Sequence, residues 1–469
     1  MEIRNRHLIV KIMVNVFRLL LAVTFITSGF VKADDPHGTV YKLQDYLTAL
    51  GIKSVPELAL LVASVGLSFI EFTMGVSMLF GISRKPTARL SAAFMTVMTL
   101  VTAYIFIFNP IEDCGCFGDA IKLTNGQTLA KNIVLLIAAI IVTRWHTLLV
   151  EFISDNTKWL VSSISMIYLP AFAIYCIIHL PVFDFRPYKI GTDMRSVLDG
   201  KEQAMEVRVI YEKDGKRIEV SPDDDDPDDT WKYVETRRTV VNENLIKAAD
   251  FAVLDYEGND VTEDIIYNDG YTFLLVIPNL RKADEGCIDL VNEIYEYSKD
   301  NGYGFYCLTG SEDEASQRYW TDHTGAEYPY YTADDRMLKT IVRAAPGLVL
   351  LKDGMIIQKW SNHNLPDEYV LTDRLEKLSI GKITEDSTNA KIGSILLMFI
   401  VPLLILTIID RMFAGWHFYR EMKRKSKELN LDEIDKRLKL EKIEKKITNN
   451  SPHPDHSRVE EEEIQGNIK

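Results

Sequence analysis

Apolar residues along the chain form six long blocks that are separated by polar segments. The blocks lie at residues 9–30, 57–81, 88–109, 129–148, 159–180 and 392–410. Since an α-helix rises about 1.5 Å per residue, each block is long enough to cross the ~30 Å hydrocarbon core of a bilayer. The pattern therefore predicts a multi-pass protein of the lipid bilayer, with a large polar segment between its fifth and sixth spans.

Lysine and arginine lie at alternate ends of these blocks, which indicates the orientation of the protein. Arg4 and Arg6 precede the first span, Arg84 and Lys85 join the second to the third, and residues 411–446 hold twelve Lys/Arg against seven Asp/Glu. We expect an inner (cytoplasmic) membrane protein with both termini in the cytoplasm and residues 183–390 on the periplasmic side. The net charge of −14 argues against a nucleic-acid partner.

The polar segment predicts a second kind of fold. Residues 248–381 alternate strand and helix patterns, whereas the blocks before them are purely helical. The fold class is thus a multi-domain membrane protein, with an all-α transmembrane bundle and an extracytoplasmic α/β domain. The predicted divisions are a five-span membrane domain over 1–183, a linker with a β-hairpin over 184–247, the α/β domain over 248–381, a sixth span over 391–411 and an amphipathic, then disordered, tail over 412–469.

Two cysteines stand one residue apart in the loop between the third and fourth spans. A disulfide between Cys114 and Cys116 would close a small strained ring, and strained disulfides are easily reduced. The spacing fits four interpretations: a redox pair, a static staple, a lid packed for shape, or a metal site that adds Asp113 and Asp119. We favour the redox pair and expect no metal, because an oxidising compartment lets such a disulfide persist.

Several short motifs together resemble a known family. In order they are Arg18–Leu21, Ser28–Lys32, Tyr46–Leu47, Glu71 with Gly75, and Asp113–Gly118. Over residues 12–150 the chain resembles the MauE (methylamine utilisation) branch of the DoxX-like membrane proteins. That resemblance implies a four-helix membrane domain, a thioredoxin-like partner and a role in disulfide formation. By analogy with vitamin K epoxide reductase, a quinone is the candidate electron acceptor, and we expect no other cofactor.

Two charged residues lie inside the predicted spans. Glu71 lies about fourteen residues into the second span from outside, and Arg18 lies about nine residues into the first from inside. At about 1.5 Å per residue, both reach a similar depth. We therefore expect an Arg18–Glu71 ion pair, which would serve either function or helix locking.

The α/β segment resembles the thioredoxin-like domains of the TlpA and peroxiredoxin type. Tyr271–Ile277 and Tyr303–Leu308 read as buried strands around an amphipathic helix at Asp284–Lys299. The resemblance implies that Pro346, just before the penultimate strand, is a cis-proline facing the reactive cysteine. By position that cysteine is Cys287.

Cys287 begins the first helix after the central strand. The helix dipole, together with Arg281 and Lys282, is expected to lower its thiol pKa. A Cys-x-x-Cys centre would need a second cysteine at 284 or 290, where the chain has Asp284 and Leu290. The domain could therefore serve as a one-cysteine partner for Cys114 and Cys116, use another cysteine, or only bind a partner.

The remaining two cysteines are better explained as side chains packed in an apolar core than as redox-active residues. Cys307 lies within a predicted strand of the α/β domain, where it could pair with Cys287 but most often would be packing. Cys176 lies in the fifth span and is expected to be packing too. The favoured function is a membrane-bound thiol–disulfide redox component of the cell envelope that exchanges disulfides with extracytoplasmic client proteins. The alternative is a non-enzymatic envelope scaffold with a redox-inactive thioredoxin-like domain.

Overall fold

The chain divides into two compact units, Met1–Leu403 and Leu404–Lys469. The structure is a computed structural model, and it describes residues 2–49, 51–52, 55–111, 115–213, 216–220, 231–240, 251–383 and 385–449. Two features predicted above lie outside these residues: Cys114 with Asp113, and the tail beyond 449.

Long apolar helices dominate the first unit. Six described helices are long and apolar enough to cross a membrane, which confirms the six predicted spans. They are α1 (Glu2–Asp34), α3 (Glu57–Phe80), α4 (Arg84–Phe108), α5 (Asn125–Arg144), α6 (Asp155–His179) and the apolar part of α12 (Glu385–Asn449). A further helix that hydropathy does not predict, α2 (Pro36–Ala49), follows α1.

Helices α1 and α3 approach closely because glycine stands on both sides of their contact. A Cβ atom on Gly29 would lie 2.6 Å from the backbone nitrogen of Phe72, and one on Gly75 would lie 2.7 Å from that of Ile26. Small residues at such contacts let membrane helices pack backbone to backbone. The two glycines therefore set the distance between these spans.

The α/β domain of the first unit is built on a six-stranded sheet. Its strands are β4 (Val253–Leu254), β5 (Tyr271–Ile277), β6 (Gly304–Thr309), β7 (Tyr330–Ala333), β8 (Gly347–Lys352) and β9 (Met355–Ser361), in the order β4-β7-β6-β5-β8-β9. Strands β5, β6 and β7 are parallel, whereas β8 is antiparallel to β5 and β9 to β8. A parallel βαβ unit followed by an antiparallel hairpin is the thioredoxin-like arrangement that the sequence predicts.

Helices flank this sheet on both faces. They are α8 (Thr262–Ile266), α9 (Ile288–Asn301), α10 (Glu314–Thr324) and α11 (Asp335–Ile341). Strand β5 is buried at every position, as expected for a central strand covered on two sides. A single 3₁₀ turn, Glu285–Cys287, precedes α9, so the helix begins later than its predicted start at Asp284.

A short helix and a smaller sheet stand between the bundle and this domain. Helix α7 (Met194–Ala204) leads into β1 (Met205–Lys213), which pairs with β2 (Lys216–Val220) and β3 (Lys232–Val240). Strands β1 and β2 pair antiparallel, with Lys213 opposite Lys216, in agreement with the predicted hairpin. Strand β3 was not predicted.

The second unit is helical where it is described. Residues 404–449 belong to α12. The amphipathic character of this basic tail stays a prediction.

Candidate functional site at the cysteine loop

Cys116 lies in a tight turn between α4 and α5. The backbone N–H of Gly118 donates to the carbonyl of Gly115 at 3.0 Å. Gly115 and Gly118 have φ values of 62° and 53°, which residues with a side chain rarely adopt. The ring of Phe117 packs against the ammonium of Lys131, at 4.3 Å. Glycine at these two positions thus allows the loop to turn at the half-buried Cys116.

A chain of buried polar groups ties this loop to the membrane helices. The Ser28 hydroxyl donates to the Cys116 carbonyl at 2.7 Å, and the Lys32 ammonium donates to the Ser28 oxygen at 3.1 Å. Lys32 also pairs with Glu71, Nζ to Oε1, at 2.6 Å. Lys32 and Glu71 are only 4 % and 2 % exposed. A buried ion pair therefore ends one hydroxyl away from the Cys116 backbone.

The predicted Arg18–Glu71 pair is wrong, because the two spans are offset along their axes. The Ser64 hydroxyl donates to the Pro36 carbonyl, so the first turns of α3 extend past the end of α1. Glu71 is therefore level with Lys32, which lies about 21 Å along α1 from Arg18. The Arg18 guanidinium instead donates to the Val150 carbonyl and stacks over Phe152 at 4.8 Å.

The thioredoxin-like domain meets the same end of the bundle through Arg343, which follows α11. Its guanidinium binds Asp35 at 2.9 Å and Asp119 at 3.5 Å, and it stacks over the Tyr41 ring at 5.1 Å. Asp35 also caps α2, accepting from the Gly38 N–H at 2.8 Å. Burial opposes ionisation of Asp35, but the charge of Arg343 holds its pKa below the usual range.

A second buried contact joins the domain to the segment after α6. The Lys359 ammonium binds Asp184 at 3.0 Å, and the Arg186 guanidinium binds the same carboxylate at 2.7 Å. The Ser361 hydroxyl donates to the Ile178 carbonyl at 2.8 Å. Burial opposes ionisation of Asp184, yet the two cations keep its pKa well below the usual range. The domain is thus docked by ionic contacts at two places.

The cis-proline loop of the thioredoxin-like domain lies next to Arg343 in the chain. The Ala345–Pro346 peptide is cis, as the sequence predicts. The Asp284 N–H donates to the Ala345 carbonyl at 3.0 Å, which holds the loop before Cys287 against the cis-proline loop. That Pro346 serves a reactive cysteine stays a prediction.

The expected lowering of the Cys287 pKa is wrong. The thiol is 7 % exposed, and burial, with a smaller contribution from Asp284, raises its pKa to about 11. Arg281 does not offset this, because its guanidinium donates to the Ser316 hydroxyl at 2.7 Å and stacks over Tyr319. Cys287 in this conformation is a weak nucleophile near neutral pH.

The other cysteines outside the loop are packed, in agreement with the sequence analysis. Cys307 is fully buried in the same apolar core as Cys287, and burial raises its pKa. Cys176 is buried in α6, where its thiol contacts Asp34 at 3.8 Å. Cys176, Cys287 and Cys307 are all free thiols, so the Cys287–Cys307 pair is not formed here.

The sequence analysis missed the residues that organise this site. Asp35 followed by Pro36 is a helix-start signal, because an N-cap residue precedes a proline at the first helical position. This signal could have predicted the start of α2. Lys32 was noted only as part of a family motif. Arg343 carried no signal, since its partner lies 308 positions away. Among the described residues, no group of His, Cys, Asp or Glu is placed to hold a metal ion.

Comparison with known proteins identifies one family and two solved structures. Residues 10–144 match the family model of the methylamine utilisation protein MauE. The chain is similar to the solution structure of a candidate protein disulfide isomerase from Bacteroides thetaiotaomicron, with 17% identity, a TM-score of 0.21, and 24% of this chain and 76% of that chain covered. It is also similar to the crystal structure of an uncharacterized conserved protein from Geobacillus kaustophilus, with 15% identity, a TM-score of 0.23, and 29% and 82% covered. Among curated proteins, none matches the chain.

Proposed function

Because residues 10–144 match the MauE family of membrane proteins, we propose that this chain is a membrane-bound thiol–disulfide redox component. Cys114 and Cys116 are the exchanging pair, and thiol-containing client proteins are the substrates. The thioredoxin-like domain contacts the loop that carries Cys116, through Arg343 and Asp119.

The observation that carries the proposal is the contact between Asp119 and Arg343. Asp119 lies three residues after Cys116, and Arg343 lies three residues before the cis-proline Pro346. By the resemblance stated above, the cis-proline loop of such a domain faces its reactive cysteine, and we take this side of the domain as the place where a thiol-containing client is held. A client held at that loop would therefore be close to the cysteine turn.

The proposed exchange takes place in two thiol–disulfide steps. A client thiolate attacks Cys114 of the Cys114–Cys116 disulfide, and the electron pair of the broken bond leaves on Cys116 as a thiolate. The second client thiolate then attacks the client sulfur of the mixed disulfide and releases Cys114. The client is oxidised and the pair is reduced. A membrane quinone is the acceptor class that would take the two electrons and two protons and restore the disulfide.

Cys287 takes no part in this exchange while the domain is docked. Its burial and raised pKa leave little thiolate at neutral pH. The same observation favours a second candidate function, a non-enzymatic scaffold whose thioredoxin-like domain binds a partner. The two functions differ in whether Cys114 ever forms a mixed disulfide.

Replacing Cys116 by serine is expected to trap that intermediate. Without Cys116, a Cys114 thiolate that attacks a client disulfide cannot be released by its neighbour, so the adduct should accumulate. A DTT-sensitive shifted band should appear in non-reducing gels, and mass spectrometry should identify the joined peptides. A Cys114→Ser/Cys116→Ser variant is the control and should show no adduct. If Cys114 stays free and cells with both serines keep normal envelope disulfides, the scaffold function is correct.

The proposal also requires the cysteine loop and the α/β domain to face the oxidising, periplasmic side of the inner membrane. Cysteines introduced at the exposed positions Asp322 and Ser426 test this orientation. A membrane-impermeant maleimide should label Asp322→Cys in intact cells and leave Ser426→Cys unlabelled until the cells are lysed. The unmodified chain supplies the background from native cysteines. Labelling of Ser426→Cys in intact cells would reverse the assigned orientation.

A further inference from the structure

Helix packing alone does not account for the buried Lys32–Glu71 ion pair. One oxygen of Glu71, Oε2, has no hydrogen-bond partner among the residues that the structure describes. An ion pair inside a membrane costs desolvation energy, and one left partly unsatisfied is a poor means of holding helices together. Glycine contacts already hold α1 against α3 at this level. The pair is therefore better explained by what lies at its other end.

That other end is the backbone of Cys116. Lys32 donates to the Ser28 oxygen, and the Ser28 hydroxyl donates to the Cys116 carbonyl, so the positive charge points at the cysteine turn. Glu71 Oε1 accepts from the same ammonium at 2.6 Å. The Lys32–Glu71 dipole is thus linked to Cys116 through its positive member, by way of the Ser28 hydroxyl.

We propose that Ser28, Lys32 and Glu71 are positioning residues that set the reduction potential of the Cys114–Cys116 pair. The inference rests on the proposed function, because it assigns a regulator to the same disulfide. Lys32 supplies the field, Glu71 is its counter-ion, and Ser28 carries the contact to the loop.

The sign of the effect follows from the exchange step. When the disulfide is attacked, the electron pair leaves on Cys116 as a thiolate, and a nearby cation stabilises that negative charge. Stabilising the reduced form makes a disulfide a stronger oxidant. Removing the dipole or its link to the loop should therefore make the pair harder to reduce.

Two variants test the proposed role of these residues by measuring the reduction potential of the Cys114–Cys116 pair. A packing role alone would not change that potential. Ser28→Ala breaks the link to Cys116 and leaves the ion pair in place. Lys32→Met/Glu71→Gln removes both charges together, so that neither is left buried alone. Thr27→Ala is the matched control, because in the described part of the chain the Thr27 hydroxyl donates to carbonyls of α1, those of Val23 and Thr24.

The measurement uses the full-length protein in detergent, equilibrated in glutathione buffers of graded ratio. After alkylation, mass spectrometry of the peptide that contains Cys114 and Cys116 gives the fraction reduced. Both test variants should lower the equilibrium constant for reduction about tenfold, which is about 30 mV for a two-electron couple. Thr27→Ala should stay within about twofold of the unmodified chain.

The outcomes separate this inference from the function on which it rests. If the unmodified pair shows no transition at any glutathione ratio, the proposed redox function fails. If the pair titrates but Ser28→Ala and the double variant match the unmodified chain, only the inference about the dipole is overturned. Should Ser28→Ala fail to fold, the double variant decides by itself.

Discussion

Replacing Arg343 by methionine is expected to undock the thioredoxin-like domain from the membrane bundle. Arg343 is 8 % exposed, and its loss leaves the Asp35 carboxylate buried without its cation. Breaking one side of a buried ion pair typically costs about 3–5 kcal/mol. Hydrogen exchange should show faster exchange of α2 and of residues 335–346, and the unfolding temperature in detergent should fall.

A double variant and a surface variant show whether this loss comes from the stranded charge. Arg343→Met/Asp35→Asn should recover much of the stability, since neither charge is then left alone. Arg318→Met removes an exposed pair with Glu314 and should change little. If Arg343→Met behaves like Arg318→Met, the docked arrangement is wrong.

The same variant should reverse the effect of acid on docking. The pKa of Asp35 is depressed in the folded protein, so its contribution is present above the unfolded value of about 4 and is lost as pH falls through the lower folded pKa. In Arg343→Met, burial acts on Asp35 without the cation and favours the protonated form. Acidification from neutral pH should therefore weaken docking in the unmodified chain and strengthen it in the variant.

Adding one methyl group at Gly75 should separate two membrane helices. The Cβ atom of an alanine would lie 2.7 Å from the Ile26 backbone nitrogen and 2.9 Å from the Ala22 carbonyl oxygen. Backbone atoms cannot turn aside as a side chain can, so α1 and α3 must move apart. The expected loss is about 1–3 kcal/mol, the range for overpacking a well-packed core. Thermal unfolding in detergent measures it.

Gly66, in the same helix, provides the matched control. A Cβ atom there would meet nothing within 4 Å, so Gly66→Ala should be neutral or slightly stabilising. Equal stability of Gly75→Ala and Gly66→Ala would show that the helices are not in the close contact described here. If the contact is real, Gly75→Ala should also move Glu71 away from Lys32.

Sequence patterns predicted the positions of helices and strands far better than they predicted the contacts between those elements. Strand β5 has the predicted bounds Tyr271–Ile277, because an apolar run between turn signals fixes both its ends. Hydropathy likewise gave the six spans, since each depends only on its own residues. Hydropathy does not show how far α1 and α3 are offset along their axes. The predicted partner of Glu71 was therefore Arg18, whereas the structure pairs Glu71 with Lys32.

The chemistry of Cys287 failed to be predicted for a related reason. Neighbours in sequence, Arg281 and Lys282, suggested a low pKa, but the pKa depends on which way side chains point and on what covers the thiol. Arg281 points toward α10, while the apolar core of the domain encloses the sulfur. The cysteine pair itself, by contrast, was evident, because Cys114 and Cys116 stand one residue apart in the chain.

The docking contacts also determine the order in which the protein can be assembled. Arg343 and Asp35 are 308 positions apart, Ser361 and Ile178 are 183 apart, and Lys359 and Asp184 are 175 apart. Since a chain emerges from the ribosome N-terminus first, the five leading spans are made before any of these domain residues exist. Docking is therefore a late event in biogenesis. A chain stopped before residue 343 lacks Arg343, which binds Asp35, and Lys359, which with Arg186 binds Asp184. It therefore differs from the finished protein in the charge beside its membrane helices.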